Sequence, residues 1–173
     1  SNAVLPFPND ALFVGSKDGT LNIPVADVND LSDPQVALNA IDGFSTVAPW
    51  TAEFSTTIDS ASINDNTVRM YPVTSNMGSV TAAGAALTFG TDYIASLSSV
   101  DATGSTLAIV PLAPLPETSS YMVVITDGLK ASNGTAFAPS ATLWHGALRA
   151  LLTVGSFAAL AQYSNLILLN FLL

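Results

Sequence analysis

The chain has 173 residues, 49% of them hydrophobic and only 10% charged, a composition typical of one well-packed β domain with extensions rather than a disordered or coiled-coil protein. The formal net charge is -9 and the four basic residues are scattered, so no cluster could neutralise a nucleic acid backbone, and nucleic acid is excluded as a partner. Cysteine is absent, which excludes disulfides, thiolate catalysis and zinc-thiolate sites.

Residues 1–48 form the first predicted region, an irregular N-terminal strap. Residues 1–3 are typical of the remnant of a cleaved expression tag. Prolines and glycines then interrupt short apolar segments, which predicts irregular chain with short extended pieces. We expect this strap to pack along a neighbouring domain; the alternative is a ligand-binding loop.

Residues 49–139 form the second region, in which turn signals recur about every ten residues, as in all-β domains. The expected fold class is therefore mainly β, an antiparallel β-sandwich. The predicted strands are residues 50–54, 67–73, 85–89, 92–97, 106–110 and 121–126.

The end of this region carries the clearest local pattern. Three prolines between residues 111 and 116 remove backbone donors, so the chain must leave its sheet there. A strand of β-branched and aromatic residues follows from Tyr121, whose hydroxyl is expected to bond back to the backbone as a corner clamp. The pairs Asp127-Gly128 and Asn133-Gly134 then predict tight turns at positions that tolerate positive φ.

Residues 140–173 form the third region, an apolar tail with hydrophobic residues at helical spacing. Its length would suffice for a membrane span, but polar residues interrupt it and basic flanks are absent, so a span is not favoured. We expect a helical tail that packs on another domain, or on a second copy through residues 143–173 to give a homodimer. Deleting the residues after Ser140 is then predicted to leave a soluble monomer.

Catalytic groups are scarce. A serine hydrolase of the α/β type needs a G-x-S-x-G elbow, and the nearest string, around Ser45, lacks the second glycine. His145 is the only histidine and lies in the apolar tail. The sequence therefore predicts no catalytic triad, no catalytic residue and no cofactor.

Acidic residues cluster in the strap at Asp27, Asn29, Asp30 and Asp33. Closely spaced oxygen ligands suit a hard cation, so this string is a weak candidate for a calcium site. It lacks the glycine and the terminal glutamate of an EF-hand loop, however, and such strings are commonly turns and helix caps.

Several sequence motifs carry a family resemblance. The stretch from residue 105 to 137 resembles bacterial Ig-like domains, and four motifs upstream occur in the order PFPNDALF, DGTLNIPV, ALNAIDGFSTVAPW and NTVRMYPV. Together they resemble the N-terminal domain of bacterial virulence-factor lipases, an extracellular family. The resemblance covers roughly the first four fifths of the chain.

The resemblance implies a non-catalytic module that organises or shields a downstream α/β-hydrolase domain, its expected partner. The whole protein would be a serine lipase or esterase acting on carboxylic ester bonds. It would be exported to the outer-membrane surface or the medium, with a lipid anchor upstream as one form. The alternative is an Ig-like module that binds a lipid or glycan surface through an exposed aromatic patch at Trp50, Phe54, Phe89 and Tyr93.

Overall fold

A computed structural model describes residues 6–76, 79–138 and 167–172 of the chain. These residues form strands β1 (Trp50–Glu53), β2 (Val68–Asn76), β3 (Ser79–Ala83), β4 (Tyr93–Leu97), β5 (Thr106–Pro111), β6 (Ser120–Ile125) and β7 (Ile167–Leu172). Helix α1 (Pro34–Leu38) and two 3-10 helices (Asp10–Phe13 and Ser60–Ser62) are the helical elements of these segments.

The strands form two antiparallel sheets, with orders β1-β5-β4 and β3-β2-β6-β7. The orders are compatible with the B-E-D and C′-C-F-G sheets of immunoglobulin-like sandwiches. The prediction of a mainly β, antiparallel fold is confirmed.

One hydrophobic core lies between the two sheets, because alternate residues of each strand point inward. The first sheet contributes Trp50 and Leu107, and the second contributes Met70 and Val123. All four are at most 1% exposed. The core thus fixes the register of both sheets, since a shift by one residue would turn every apolar side chain outward.

The predicted strand at residues 85–89 is wrong. The strand that follows β2 is β3 instead, which the sequence did not predict. Residues 84–87 run along the part of β2 that β3 leaves unpaired, where the Gly84 amide bonds the Pro72 carbonyl and the Leu87 amide bonds the Met70 carbonyl, both at 2.8 Å. Two separate hydrogen bonds replace a regular ladder there.

The two predicted glycine turns differ in why they need glycine. Gly134 has a φ of +82°, the left-handed conformation that the sequence predicted. Gly128 is not among the positive-φ residues, and a Cβ added there would lie 2.8 Å from Thr67 Cγ2. Space against a neighbouring side chain, rather than backbone conformation, excludes other residues at this turn.

A tyrosine clamp joins the two sheets. The Tyr93 hydroxyl on β4 donates to the Val68 carbonyl oxygen on β2 at 2.8 Å. Burial raises the pKa of Tyr93 to about 12. The sequence assigned a backbone clamp to Tyr121, which is buried in the core with its ring centroid 6.3 Å from that of Trp50.

The predicted strap and tail both meet the sandwich. Phe7 and Thr51 exchange two backbone hydrogen bonds of 2.9 and 2.8 Å, so the strap extends the edge of β1. The helical prediction for the tail is wrong for residues 167–172, which pair with β6 as strand β7. Backbone pairing with an open strand edge overrides the helical spacing of the sequence there. The remaining tail residues lie outside the described part of the chain, and the domain boundaries stay predictions.

Candidate functional site

Ser45, the nearest match to a catalytic nucleophile, is an exposed turn residue. Its Oγ accepts hydrogen bonds from the backbone amides of Val47 and Ala48, at 3.3 and 3.1 Å. This is the local bonding of a serine turn. The only histidine, His145, lies outside the described residues.

The acidic cluster predicted from the sequence, Asp27 to Asp33, lies in a loop of residues 24–38, here called the acidic loop. Asp27 accepts from the Asn29 amide at 2.9 Å, and Asp30 accepts from the Ser32 amide at 3.0 Å and the Ser32 hydroxyl at 2.6 Å. Hydrogen bonds from that hydroxyl and amide lower the pKa of Asp30. These carboxylates therefore fold the loop backbone in successive turns.

The third aspartate begins helix α1. Asp33 is its N-cap and accepts from the Gln35 amide at 2.8 Å, with Pro34 at the first helical position. No group of three or more acidic or histidine side chains within residues 6–76, 79–138 and 167–172 is placed to hold a metal ion. The acidic loop therefore stays a weak candidate for a calcium site, because hydrogen bonds of the turns and the helix cap already engage its carboxylates.

Polar side chains also close the base of the acidic loop. Asn39 Oδ1 accepts from the Ile23 amide at 2.8 Å, and Asn39 Nδ2 donates to the Ile23 carbonyl at 2.9 Å. The Leu21 amide bonds the Ile41 carbonyl at 2.8 Å beside this pair. Residues 24–38 are thus a loop with both ends tied together, and its shape does not depend on burying its own apolar side chains.

A small aromatic cluster holds the strap beside the sandwich. The Phe44 ring makes edge-to-face contacts with Phe7 and Phe13, each at a centroid distance of 5.6 Å. The Leu115 amide then bonds the Thr46 carbonyl at 3.0 Å, where the strap returns to the core. The acidic loop is therefore mounted on a base that is itself anchored to the sandwich.

The strap carries most of the exposed large hydrophobic side chains among the described residues. Among the described residues, ten large hydrophobic side chains are exposed, and seven of them lie between Phe7 and Val47. Leu31, at 88%, and Val28, at 71%, project from the acidic loop between its aspartates. We call the exposed side chains of this loop and its base the strap surface; they are Val28, Leu31, Leu38 and Ile41.

The aromatic patch proposed from the sequence is wrong. Trp50 and Tyr93 are each 1% exposed, and Phe54 and Phe89 pack against the core. Trp50 on β1 and Tyr93 on β4 point inward, where their large rings fill the sandwich, and Phe54 and Phe89 pack against that core from positions outside the strands. The exposed surface is instead aliphatic and lies in a region without periodicity, so no helical or strand pattern in the sequence signals it.

Comparisons with known proteins give one family. The family described as bacterial virulence factor lipase N-terminal matches residues 1–166, and the resemblance found in the sequence is confirmed. The search of curated proteins finds no match.

Among solved structures, surface layer protein SbsC, domains 1–6, is similar at 17% identity with a TM-score of 0.35. The similarity covers 56% of this chain and 11% of that one, and it is too slight to support a conclusion. Within the described ranges, no helix has the length and apolar character needed to cross a bilayer.

Proposed function

Because the chain belongs to the bacterial virulence factor lipase N-terminal family, we propose that it is a non-catalytic module that organises or shields the downstream catalytic domain of its parent lipase. The strap surface is the face that contacts that domain. The parent is an exported serine lipase or esterase, and its nucleophile lies on the catalytic domain.

The observation that carries this proposal is an exposed aliphatic surface on a loop of fixed shape. Fully burying one Leu or Val side chain contributes about 1.5–3 kcal/mol, so Leu31 and Val28 together offer a substantial gain to a partner. Hydrogen bonds of the aspartates and Asn39 hold the loop already, so little ordering entropy would be lost on contact.

The negative charge of the strap indicates which kind of partner surface would complement it. The first 48 residues contain six aspartates and one lysine, so the apolar side chains of the strap surface stand among carboxylates. A partner with an apolar centre and a basic rim complements this arrangement. An anionic membrane surface would be repelled by it, which favours a protein domain over a bilayer as the partner.

The test is a pair of aspartate substitutions in the parent lipase, Leu31→Asp and Val28→Asp, with Val100→Asp as the matched control. Val100 is 94% exposed and lies between β4 and β5, outside the strap. The strap variants should lower the melting temperature of the catalytic domain or its rate of ester hydrolysis, and the control should change neither. In the isolated chain, none of the three should change the melting temperature.

Equal behaviour of strap and control variants in the parent would contradict the proposal. Binding of the isolated chain to neutral phosphatidylcholine vesicles, lost in the strap variants, would support the alternative of a lipid-binding module instead.

We also expect the isolated chain not to hydrolyse acyl esters, because its sequence lacks an elbow and Ser45 is engaged in a turn. Release of p-nitrophenol from short- and long-chain acyl esters measures this. Turnover that disappears in Ser45→Ala would contradict the non-catalytic assignment.

A further inference from the structure

Asn133 and Gly134 are the single Asn-Gly pair of the sequence, and both are exposed. They form the loop of a short hairpin of residues 130–136, here called the Asn-Gly hairpin. The Ala131 amide bonds the Thr135 carbonyl at 2.8 Å across its base. A turn that ends in a left-handed glycine is a common three-residue hairpin loop, and Gly134 takes this conformation with a φ of +82°.

An asparagine that precedes glycine can deamidate by itself, because glycine has no Cβ to hinder the approach of its amide nitrogen to the asparagine side chain. The Gly134 nitrogen would attack Cγ of Asn133, and the bond from Cγ to the side-chain nitrogen would break. Ammonia leaves and takes up the proton of the Gly134 amide, and a succinimide ring remains. Water then opens the ring at either carbonyl and gives aspartate or isoaspartate at residue 133.

The folded hairpin opposes this reaction through two hydrogen bonds. The Gly134 amide donates to the Ala131 carbonyl at 2.8 Å, so the proton that the nitrogen must lose is engaged. Asn133 Oδ1 accepts from the Thr135 amide at 3.0 Å, which holds the side-chain amide in a turn of its own. Attack on Cγ therefore requires both hydrogen bonds to open first.

Opening of the hairpin depends on its bonds to residues 57–62. The Lys130 amide donates to Ser62 Oγ at 3.0 Å, and the Ser132 amide donates to the Thr57 carbonyl at 3.0 Å. Ser62 Oγ in turn donates to the Asp59 carbonyl at 2.7 Å. These anchors lie at one end of the sandwich, so the hairpin can open without unfolding the sheets.

We propose that Asn133 is a deamidation site of this chain and that the Asn-Gly hairpin must open for the reaction to occur. An aspartate product keeps a side-chain oxygen for the Thr135 amide. An isoaspartate product inserts one methylene group into the backbone and disturbs the pairing of Ala131 with Thr135. The deamidated fraction then measures how often this hairpin opens. This inference is independent of the proposed function.

The first test compares the folded chain with the same chain unfolded in guanidinium chloride, both in one mildly alkaline buffer. Peptide mapping by mass spectrometry follows the conversion of Asn133 to aspartate and isoaspartate. Because two hydrogen bonds must open in the folded state, conversion there should be at least about tenfold slower than in the unfolded chain. Equal rates would show that the hairpin does not control the reaction. Absence of conversion in the unfolded chain would show that Asn133 is not a deamidation site.

A pair of serine substitutions in the folded chain tests the anchor. Ser62→Ala removes the acceptor of the Lys130 amide and should accelerate conversion of Asn133 about fivefold. Ser75→Ala is the matched control, since it removes a hydrogen bond of 3.0 Å to Ser120 in the second sheet. The control should leave the rate unchanged. Equal acceleration in both variants would assign the reaction to unfolding of the whole sandwich and would overturn local opening.

Hydrogen exchange of the wild type gives a second measurement that does not depend on the folding of Ser62→Ala. The Gly134 amide should exchange more slowly than in the unfolded chain, by a factor similar to that for deamidation, because both reactions need the same opening. Free exchange of this amide in the folded chain would overturn the proposal.

Discussion

The sandwich and the strap achieve a defined shape by opposite means. In the sandwich, apolar side chains alternate along strands and close a core in which residues such as Trp50 and Leu107 are at most 1% exposed. In the acidic loop, side-chain oxygens bond the backbone and leave Leu31 in solvent. The difference teaches that a segment can have a defined shape without burying its apolar residues, and that such a segment is available for contact.

The largest expected effect is a difference in the free energy of unfolding between two leucine-to-alanine substitutions, one in the sandwich core and one in the acidic loop. Leu107→Ala removes a fully buried core side chain and should lower the free energy of unfolding by about 2–5 kcal/mol. Leu31→Ala removes an exposed one and should change it by no more than about 0.5 kcal/mol. Urea unfolding of both variants measures the difference. A large loss in Leu31→Ala would show that the acidic loop is packed in solution.

The next largest effect is expected at the base of the acidic loop, where Asn39 joins its two ends. Asn39→Ala removes two hydrogen bonds to Ile23 and should destabilise the loop closure by about 2 kcal/mol. Hydrogen exchange at the Ile23 amide should accelerate, while amides of the sandwich core keep their rates. Asn29→Ala, in the exposed middle of the loop, is the control and should leave the Ile23 amide unchanged. Equal acceleration in both variants would mean that Asn39 does not close the loop.

The tyrosine clamp predicts a smaller effect with a distinct pH dependence. Tyr93→Phe removes the bond to the Val68 carbonyl and should cost about 1 kcal/mol at neutral pH. Because burial raises the pKa of Tyr93 from 10.0 to about 12, the unfolded state loses this proton first as pH rises. The contribution is therefore complete below the unfolded pKa and is lost as pH rises towards the folded pKa.

Chemical unfolding across this alkaline range measures the clamp. The difference in stability between the wild type and Tyr93→Phe should shrink as pH rises from 10.0 to about 12. A difference that stays constant over this range would show that the hydroxyl is not buried in the folded protein.

The smallest expected effect concerns calcium. Since Asp27, Asp30 and Asp33 already accept hydrogen bonds from the loop backbone, calcium should give no resolvable heat in calorimetry. Tight binding that Asp30→Ala abolishes would contradict the assignment of these residues to turns and a helix cap.

Sequence reasoning succeeded where periodicity carried the information. Strands β1, β4, β5 and β6 lie within one or two residues of their predicted bounds, because alternation and turn residues mark them. The strand prediction for residues 85–89 failed because the segment meets β2 through the single backbone bond from Leu87 to Met70, and a tertiary contact of this kind is encoded by no local pattern. Gly128 was predicted as a turn residue, but only the structure shows that Thr67 limits the space.

The candidate site was less predictable than the fold. Of the two interpretations of the aspartates in the acidic loop, turns and a helix cap are observed, and the calcium site stays a prediction. The solvent exposure of Val28 and Leu31 was not predicted, because the sequence of an aperiodic loop does not indicate which side chains face solvent. The apolar spacing of the tail likewise gave no sign that residues 167–172 would join a sheet.

Hydrogen exchange of this chain alone and within its parent lipase tests the central claim most directly. If the strap surface contacts the catalytic domain, backbone amides of residues 24–41 should exchange more slowly in the parent, while those of the sandwich core exchange alike in both. Unchanged exchange in residues 24–41, with new protection on the exposed loop between β4 and β5, would contradict it.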